Sequence, residues 1–236
     1  MPHKNTQSTQ KNTRSVRLKR HLSRVDRWLE QLDHARLTLS NALPQHRPRP
    51  EPSAEDLESQ PHANHLSPGD RHDIAGCLRV NHSGEVCAQA LYLGQATQAE
   101  STCVKAHLLA SAKEEEAHLQ WCAERLEELD AKPSLLNPLW YALSFGLGVA
   151  VAKLSDQISL GFINATENQV KHHLEAHIAR IPPQDITTLA ILGQMLTEEI
   201  AHADAALEHG GKAFPGWIQS LMWLSSRLMT TASHRI

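Results

Sequence analysis

Apolar residues recur at three- and four-residue spacings along most of the chain, and no stretch alternates apolar with polar as a half-buried strand would. The first such pattern runs from Val16 to Leu43. Leu18, Leu22, Val25, Trp28, Leu29, Leu32, Ala35 and Leu39 share one face, and Lys19, Arg20, Arg24, Arg27, Glu30 and Arg36 the other. Residues 44–69 break the pattern with Pro44, Pro48, Pro50, Pro52, Pro61 and Pro68, so they read as a linker. His46, His62 and His65 lie in it without ligand spacing and read as solvated. The helical pattern then resumes to the end. It predicts helices over about 84–102, 104–129, 139–180 and 184–209, and a last one after Pro215. Asp73 or Ser83 is the expected cap near the start of this region. The prediction is an all-α chain: a polar basic tail at 1–15, an amphipathic helix at 16–43, a Pro/His-rich linker at 44–69 and a helical bundle at 70–236.

The stretch 139–163 is apolar enough to raise a membrane span. A span needs about 20 uninterrupted apolar residues. Lys153 and Asp156 interrupt this one and Glu167 follows closely, so a buried helix is the better reading. Gly146-Leu147-Gly148 starts like a dinucleotide-binding loop, but no strand precedes it and Val151 stands at the third glycine position.

Composition adds little. A net charge of −3 argues against a nucleic-acid-binding protein. Cys77, Cys87, Cys103 and Cys122 form no Cys-x-x-Cys and no spaced framework, which suits a reducing compartment. Residues 1–30 lack the apolar run of a secretory signal. Lys4, Lys11, Arg14, Arg17, Lys19, Arg20 and Arg24 precede the first acid, a pattern that fits a basic tail or an organellar transit peptide.

The candidate chemistry lies in a pattern that occurs twice. Glu85 is followed about thirty residues later by Glu115-Glu116-Ala117-His118, and Glu167 by Glu199-Ile200-Ala201-His202. A Glu-x-x-His places carboxylate and imidazole on one helix face. With 16 histidines and 26 acids in the chain, such a motif also arises by chance. Its placement is what carries weight. Glu115 and His118 continue the stripe of Leu108, Cys122, Leu126 and Leu129. Glu199 and His202 continue that of Leu192, Met195, Leu196, Ala203 and Ala206, and Glu167 that of Ile163, Val170 and Leu174. A charge on an apolar face costs several kcal/mol unless it is paired or binds a metal. Glu114, Glu124 and Glu128 fall on the opposite, solvent-facing side. Glu85 has the least apolar stripe (Ala88, Tyr92, Ala96). Cys122 reads as core, Cys87 points away from Glu85, and His172 and His173 read as partly exposed.

A lone glutamate on two helices and a Glu-x-x-His on two more is the ligand set of ferritin-like di-iron carboxylate bundles. Four carboxylates balance two divalent ions, and six protein ligands leave positions open for oxygen or substrate. The mixed donors suit iron or manganese better than a closed thiolate zinc site. On this reading Glu115 and Glu199 bridge, Glu85 and Glu167 are terminal, and His118 and His202 serve one ion each.

The segment Leu78-Arg79-Val80-Asn81-His82-Ser83-Gly84-Glu85-Val86-Cys87-Ala88-Gln89-Ala90-Leu91-Tyr92 resembles the demethoxyubiquinone hydroxylase family of ubiquinone biosynthesis, in its bacterial form. The resemblance continues through both Glu-x-x-His motifs, Ala165-Thr166-Glu167, Thr197 to Asp204 and Trp223-Leu224-Ser225-Ser226-Arg227. It covers about residues 70–236, more loosely 16–43, and every metal ligand of the family has a match. Some members carry Tyr where Leu174 stands, so no role passes to that position.

The resemblance implies a di-iron monooxygenase that hydroxylates the ring of 2-polyprenyl-3-methyl-6-methoxy-1,4-benzoquinone with O2. It also implies a supply of electrons. No NAD motif is present, so NADH, the reduced quinone itself and a partner reductase all stay open, as do protein partners from the same pathway. A polyprenyl substrate places the enzyme at a membrane surface: the cytoplasmic face of a bacterial membrane, or alternatively the matrix side of the mitochondrial inner membrane. The stretch after Pro215, with Trp217, Leu221, Trp223, Leu224 and Leu228, is the expected contact, and Leu139, Trp140 and Phe145 a second. Two other classes compete. One is a ferritin- or rubrerythrin-like iron store or peroxide scavenger, although no Cys-rich iron module is present. The other is a structural metal-stabilised bundle.

Overall fold

A computed structural model describes residues 24–44, 47–59 and 65–236 of the chain. The predicted tail at 1–15 and the start of the amphipathic helix lie outside these residues, as do His46 and His62. The described residues form eight α-helices and no strand: α1 (Arg24–Leu39), α2 (Ala54–Ser59), α3 (Pro68–Ala96), α4 (Thr102–Glu128), α5 (Asn137–Ala152), α6 (Asp156–Ile178), α7 (Ile186–Glu208) and α8 (Gly216–Arg235). Among them none is long and apolar enough to cross a membrane.

The apolar stripes of α3, α4, α6 and α7 meet in two separate clusters. One joins Leu78, Trp121, Leu126, Leu174, Ile191 and Met195; the other joins Tyr92, Leu93, Leu108, Leu160, Ile163 and Ala206. Chain order through these clusters gives the topology. α3 and α7 run from the first cluster to the second, and α4 and α6 run back. Two consecutive bundle helices of like direction need a return crossing, and α5 supplies it along α3. This is a ferritin-like bundle with one long crossover. Glu85, Glu115, Glu167 and Glu199 each fall in sequence between the two clusters, so a polar layer is sandwiched between two apolar ones.

Three helix boundaries differ from the periodicity reading, one of them the end of α3, which stops at Ala96 rather than near 102. α3 begins at Pro68, well before Gly84. Ser67 Oγ accepts from the Asp70 amide at 3.1 Å while Asp70 Oδ2 accepts from the Ser67 amide at 3.2 Å, a capping box with proline at the first turn. Asp73 and Ser83 are therefore interior, not caps. The predicted helix over 139–180 is two, because the chain turns at Lys153-Leu154 and Ser155 caps α6 through the Ile158 amide.

α5 lies against α3 backbone to backbone. A methyl group on Gly94 would strike the Phe145 carbonyl, and one on Gly148 the Leu91 carbonyl. α1 docks on the same side: Thr38 donates to buried Gln89 at 2.5 Å, and Gln120 donates to the Leu43 carbonyl at 2.6 Å. Within the stretch 44–69, α2 forms, and Arg49 pairs with Glu128 of α4 at 2.5 Å.

Two buried histidines make the fold acid-sensitive. His82 Nδ1 accepts from Asn137 Nδ2 at 3.1 Å and its Nε2 donates to Asn41 Oδ1 at 3.0 Å, so a second ring proton would face a donor. Burial holds His82 at about 4, and burial with His173 and Arg180 nearby holds His177 at about 4. Unfolded, each takes up its proton near 6.5. The unfolded chain thus binds more protons between pH 6.5 and 4, and stability falls as pH drops through that window, by up to about 3 kcal/mol for His82. Urea midpoints at pH 7 and pH 5 measure this. His82→Gln should flatten the dependence, and a wild-type midpoint unchanged at pH 5 would contradict it.

Candidate metal centre

The six side chains that the repeat singles out meet in the polar layer. α3 brings Glu85, α4 Glu115 and His118, α6 Glu167, and α7 Glu199 and His202, all buried. Glu115 and Glu199 lie between the imidazoles. Glu115 Oε2 is 2.9 Å from His118 Nδ1 and its Oε1 3.0 Å from His202 Nδ1. Glu199 Oε1 is 3.0 Å from His118 Nδ1 and its Oε2 3.5 Å from His202 Nδ1. Glu85 lies on the His118 side, 3.7 Å from Nδ1. Glu167 accepts from Tyr92 Oη at 2.8 Å.

These residues fit a metal ion. Donor atoms of Glu85, Glu115, His118 and Glu199 lie within 4.8 Å of one another. Glu115 Oε1, Glu167 Oε2, both Glu199 oxygens and His202 Nδ1 are buried and form no well-aligned hydrogen bond, although the Glu115 and Glu199 oxygens lie near imidazole nitrogens. Buried polar atoms so placed are costly, and a cation in their midst would remove that cost. The electrostatics agree. Burial, with the neighbouring carboxylates, pushes Glu85 and Glu167 well above the usual range. Burial would also raise Glu115, but His118 and His202 hold it below the usual range. Burial would lower His202, but Glu115 and Glu199 hold it up at about 12. Carboxylates that crowd each other's charge, with imidazoles drawn in to offset it, form a cluster in want of positive charge.

The outer imidazole nitrogens reveal two residues that the apolar stripes did not. His118 Nε2 is 2.7 Å from Glu198 Oε2, and His202 Nε2 is 2.7 Å from Glu114 Oε2. Glu114 is half exposed, as its stripe position implies, yet it reaches across to the facing helix. The repeat is thus Glu-Glu-x-x-His, whose first glutamate serves the other copy's histidine. The doubled acid in both copies was the available signal. Such outer partners fix the imidazole's orientation and tautomer. Tyr92 is a third residue missed in this role.

An apolar cavity of about 270 Å³ opens beside Glu85, between α3, α5, α6 and α8. Ala88, Leu91, Phe162, Val170, Met222 and Met229 are among its walls. Cys87 also faces it, its thiol pushed up to about 11 by burial, as does His173, whereas His172 is exposed. Cys122 packs in the core, 3.8 Å from Met195 Sδ. Trp217, Leu221, Trp223, Leu224 and Leu228 lie on the outer face of α8 with 49–70% of their surface exposed.

Fold and site together define a ferritin-like bundle with a buried carboxylate–histidine cluster able to hold metal. A solved structure described as a dodecameric thioferritin, a bacterioferritin-related protein from Bacteroides fragilis, is similar at TM-score 0.50 and 20% identity, over 65% of this chain and 89% of that one; it supports the fold alone. The family model described as "Ubiquinone biosynthesis protein COQ7" matches residues 72–233, and the chain belongs to that family. Relatives named 3-demethoxyubiquinol 3-hydroxylase include one from Ralstonia pickettii, 46% identical over 90% of this chain and all of that one. Another, from Azotobacter vinelandii, is 47% identical over 92% and 98% of the two chains. A third, from Cupriavidus taiwanensis, is 51% identical over 75% and 85%.

Proposed function

We propose that the protein is an O2-dependent di-iron hydroxylase acting on the ring of demethoxyubiquinol, the substrate in its relatives' names. The observation that carries this reading is the apolar cavity opening on Glu85 of the cluster. It would bring a greasy ring substrate and a metal-binding layer into one space. Glu85, Glu115, His118, Glu167, Glu199 and His202 would hold two iron ions between them. Those ions would supply the activation of O2.

The chain's other residues set the conditions. Glu198 and Glu114 hold the imidazoles with Nδ1 turned inward, and Tyr92 orients Glu167. The apolar wall at Ala88, Leu91 and Phe162 excludes water from the reacting ring. A quinol substrate also settles the electron count. Quinol plus O2 gives hydroxylated quinone plus water: one oxygen atom enters the ring C–H, the other leaves as water, and oxidation of quinol to quinone supplies two electrons. On this accounting NADH or a reductase serves only to keep the substrate reduced.

The cavity has room for the ring but not for a long tail, which would leave past α5 and α8. Trp217, Leu221, Trp223, Leu224 and Leu228, with exposed Leu139, Leu143 and Leu147, form the apolar face that would rest on a bilayer. On this reading the protein rests on a membrane surface, the cytoplasmic face of a bacterial cell membrane or the matrix side of the mitochondrial inner membrane.

The test is oxygen uptake by iron-loaded protein given a short-tailed demethoxyquinol and no other reductant. One O2 should be consumed per ring hydroxylated. Iron-loaded protein that ignores the quinol but consumes peroxide would favour the scavenger reading instead.

A further inference from the structure

The two halves of the centre match in sequence but not in their surroundings. Glu198 serves His118 and Glu114 serves His202, each at 2.7 Å. Beyond that the likeness ends. Glu198 is 17% exposed and accepts a two-pronged pair from Arg47, Nη1 to Oε2 at 2.8 Å and Nη2 to Oε1. Gln194 Nε2 also donates to its Oε1 at 2.5 Å. The Arg47 guanidinium lies over the Trp121 ring at 5.1 Å, and that ring is 5.3 Å from His118. Glu114, by contrast, is 54% exposed, and among the described residues its one close ion pair is with His202, Arg47 and His107 acting on it only as more distant charges.

We propose that Arg47 is a positioning residue which, through Glu198, makes the His118 half of the centre release its metal more slowly than the His202 half. The inference rests on the two-ion reading above. Arg47 lies outside the region matched by the family model, which begins at residue 72. For an ion to leave His118, the imidazole must swing away and break its bond to Glu198. Glu198 cannot follow, because a forked guanidinium holds both its oxygens and the indole beneath fixes the fork. Glu114 is free to turn into solvent with His202, so that imidazole swings at little cost. Partners one step out from a ligand commonly change metal affinity by about 10–100-fold.

The test uses full-length protein loaded with Fe(II) without oxygen, mixed with a coloured Fe(II) chelator. Wild-type loading near two ions per chain checks the underlying reading; a value near zero or one sinks that reading on its own. Given two ions, release should occur in two phases of equal amplitude, their rates about 10-fold or more apart. Arg47→Gln, which loosens the outer partner Glu198 without removing it, should speed the slow phase by several-fold up to about 10-fold, the low end of the range for such partners, and leave the fast phase alone. Glu114→Gln should leave the slow phase alone. Arg47→Lys keeps the charge but loses the fork, so it too should speed the slow phase, and it decides the matter if Arg47→Gln does not fold. A single wild-type phase, or a slow phase unmoved by both Arg47 variants, overturns the proposal. So does equal acceleration of both phases, which is what general loosening would give.

Discussion

Replacing Glu199 with alanine should abolish ubiquinone formation in cells that depend on this protein, and the demethoxy quinone should accumulate. Glu199 is one of two carboxylates between the imidazoles, with an oxygen near each. Without it, His118 and His202 share Glu115 alone. The side chain is buried, so water cannot replace it without filling a cavity in the centre of the bundle. Iron per chain should fall below half the wild-type value, and turnover by at least about 100-fold, the upper range for disturbing even an outer partner. Metal analysis of the purified variant and quinone extraction from cells measure the two effects. Normal quinone levels would remove the hydroxylase assignment, whatever the iron content.

The second large effect separates substrate from metal. Gly84 lies on the cavity wall next to Glu85, and a Cβ added there would meet no neighbouring atom within 4 Å. Gly84→Trp should fill the space proposed for the ring. Turnover should fall by about 100-fold or more, since misplacing a substrate by even an ångström can cost that much. Iron content should be unchanged, and thermal stability unchanged or slightly raised, because glycine inside a helix costs about 1 kcal/mol. Full activity in a folded, iron-loaded Gly84→Trp protein would show that the ring binds elsewhere.

Much of this was legible in the chain because apolar periodicity reports burial helix by helix. The stripes of Leu108 to Leu129 and Leu192 to Ala206 mark the faces that meet, and the acids and histidines within them are the residues that the structure brings together. What a stripe cannot report is the neighbour. Glu114 sits on a solvent face by its own helix's geometry, yet its partner is on α7. Arg47 stands in a proline-rich stretch with no periodicity, and only the folded chain lays it over Trp121. The start of α3 was hidden for a related reason. Asn81, His82 and Ser83 are polar, so they blur the stripe, but they are buried and hydrogen-bonded to His177, Asn41 and Asn137. The break between α5 and α6 was masked because the apolar run and the amphipathic run that follows share one period.

The close approach of Gly94 and Gly148 bears on what substrates the cavity can admit. With its backbone pressed on α3, α5 is a fixed wall. α8 opposite it is tied mainly near its C-terminal end, where Trp140 donates to Ser233 at 3.1 Å and Arg79 to the His234 carbonyl at 3.0 Å. Its N-terminal turns, around Trp217 and Leu221, face outward. The enclosure is thus walled by α5 on one side and α8 on the other. The segment leading into α8 is also held, with Phe214 against Phe162 and the Lys212 amide on the Gln157 carbonyl at 3.0 Å. A ring of set size would be gripped between these walls, while a tail would leave along the apolar outer edge of α8. Selectivity for the head group and indifference to the tail would then come from where the enclosure ends rather than from any contact made to the tail.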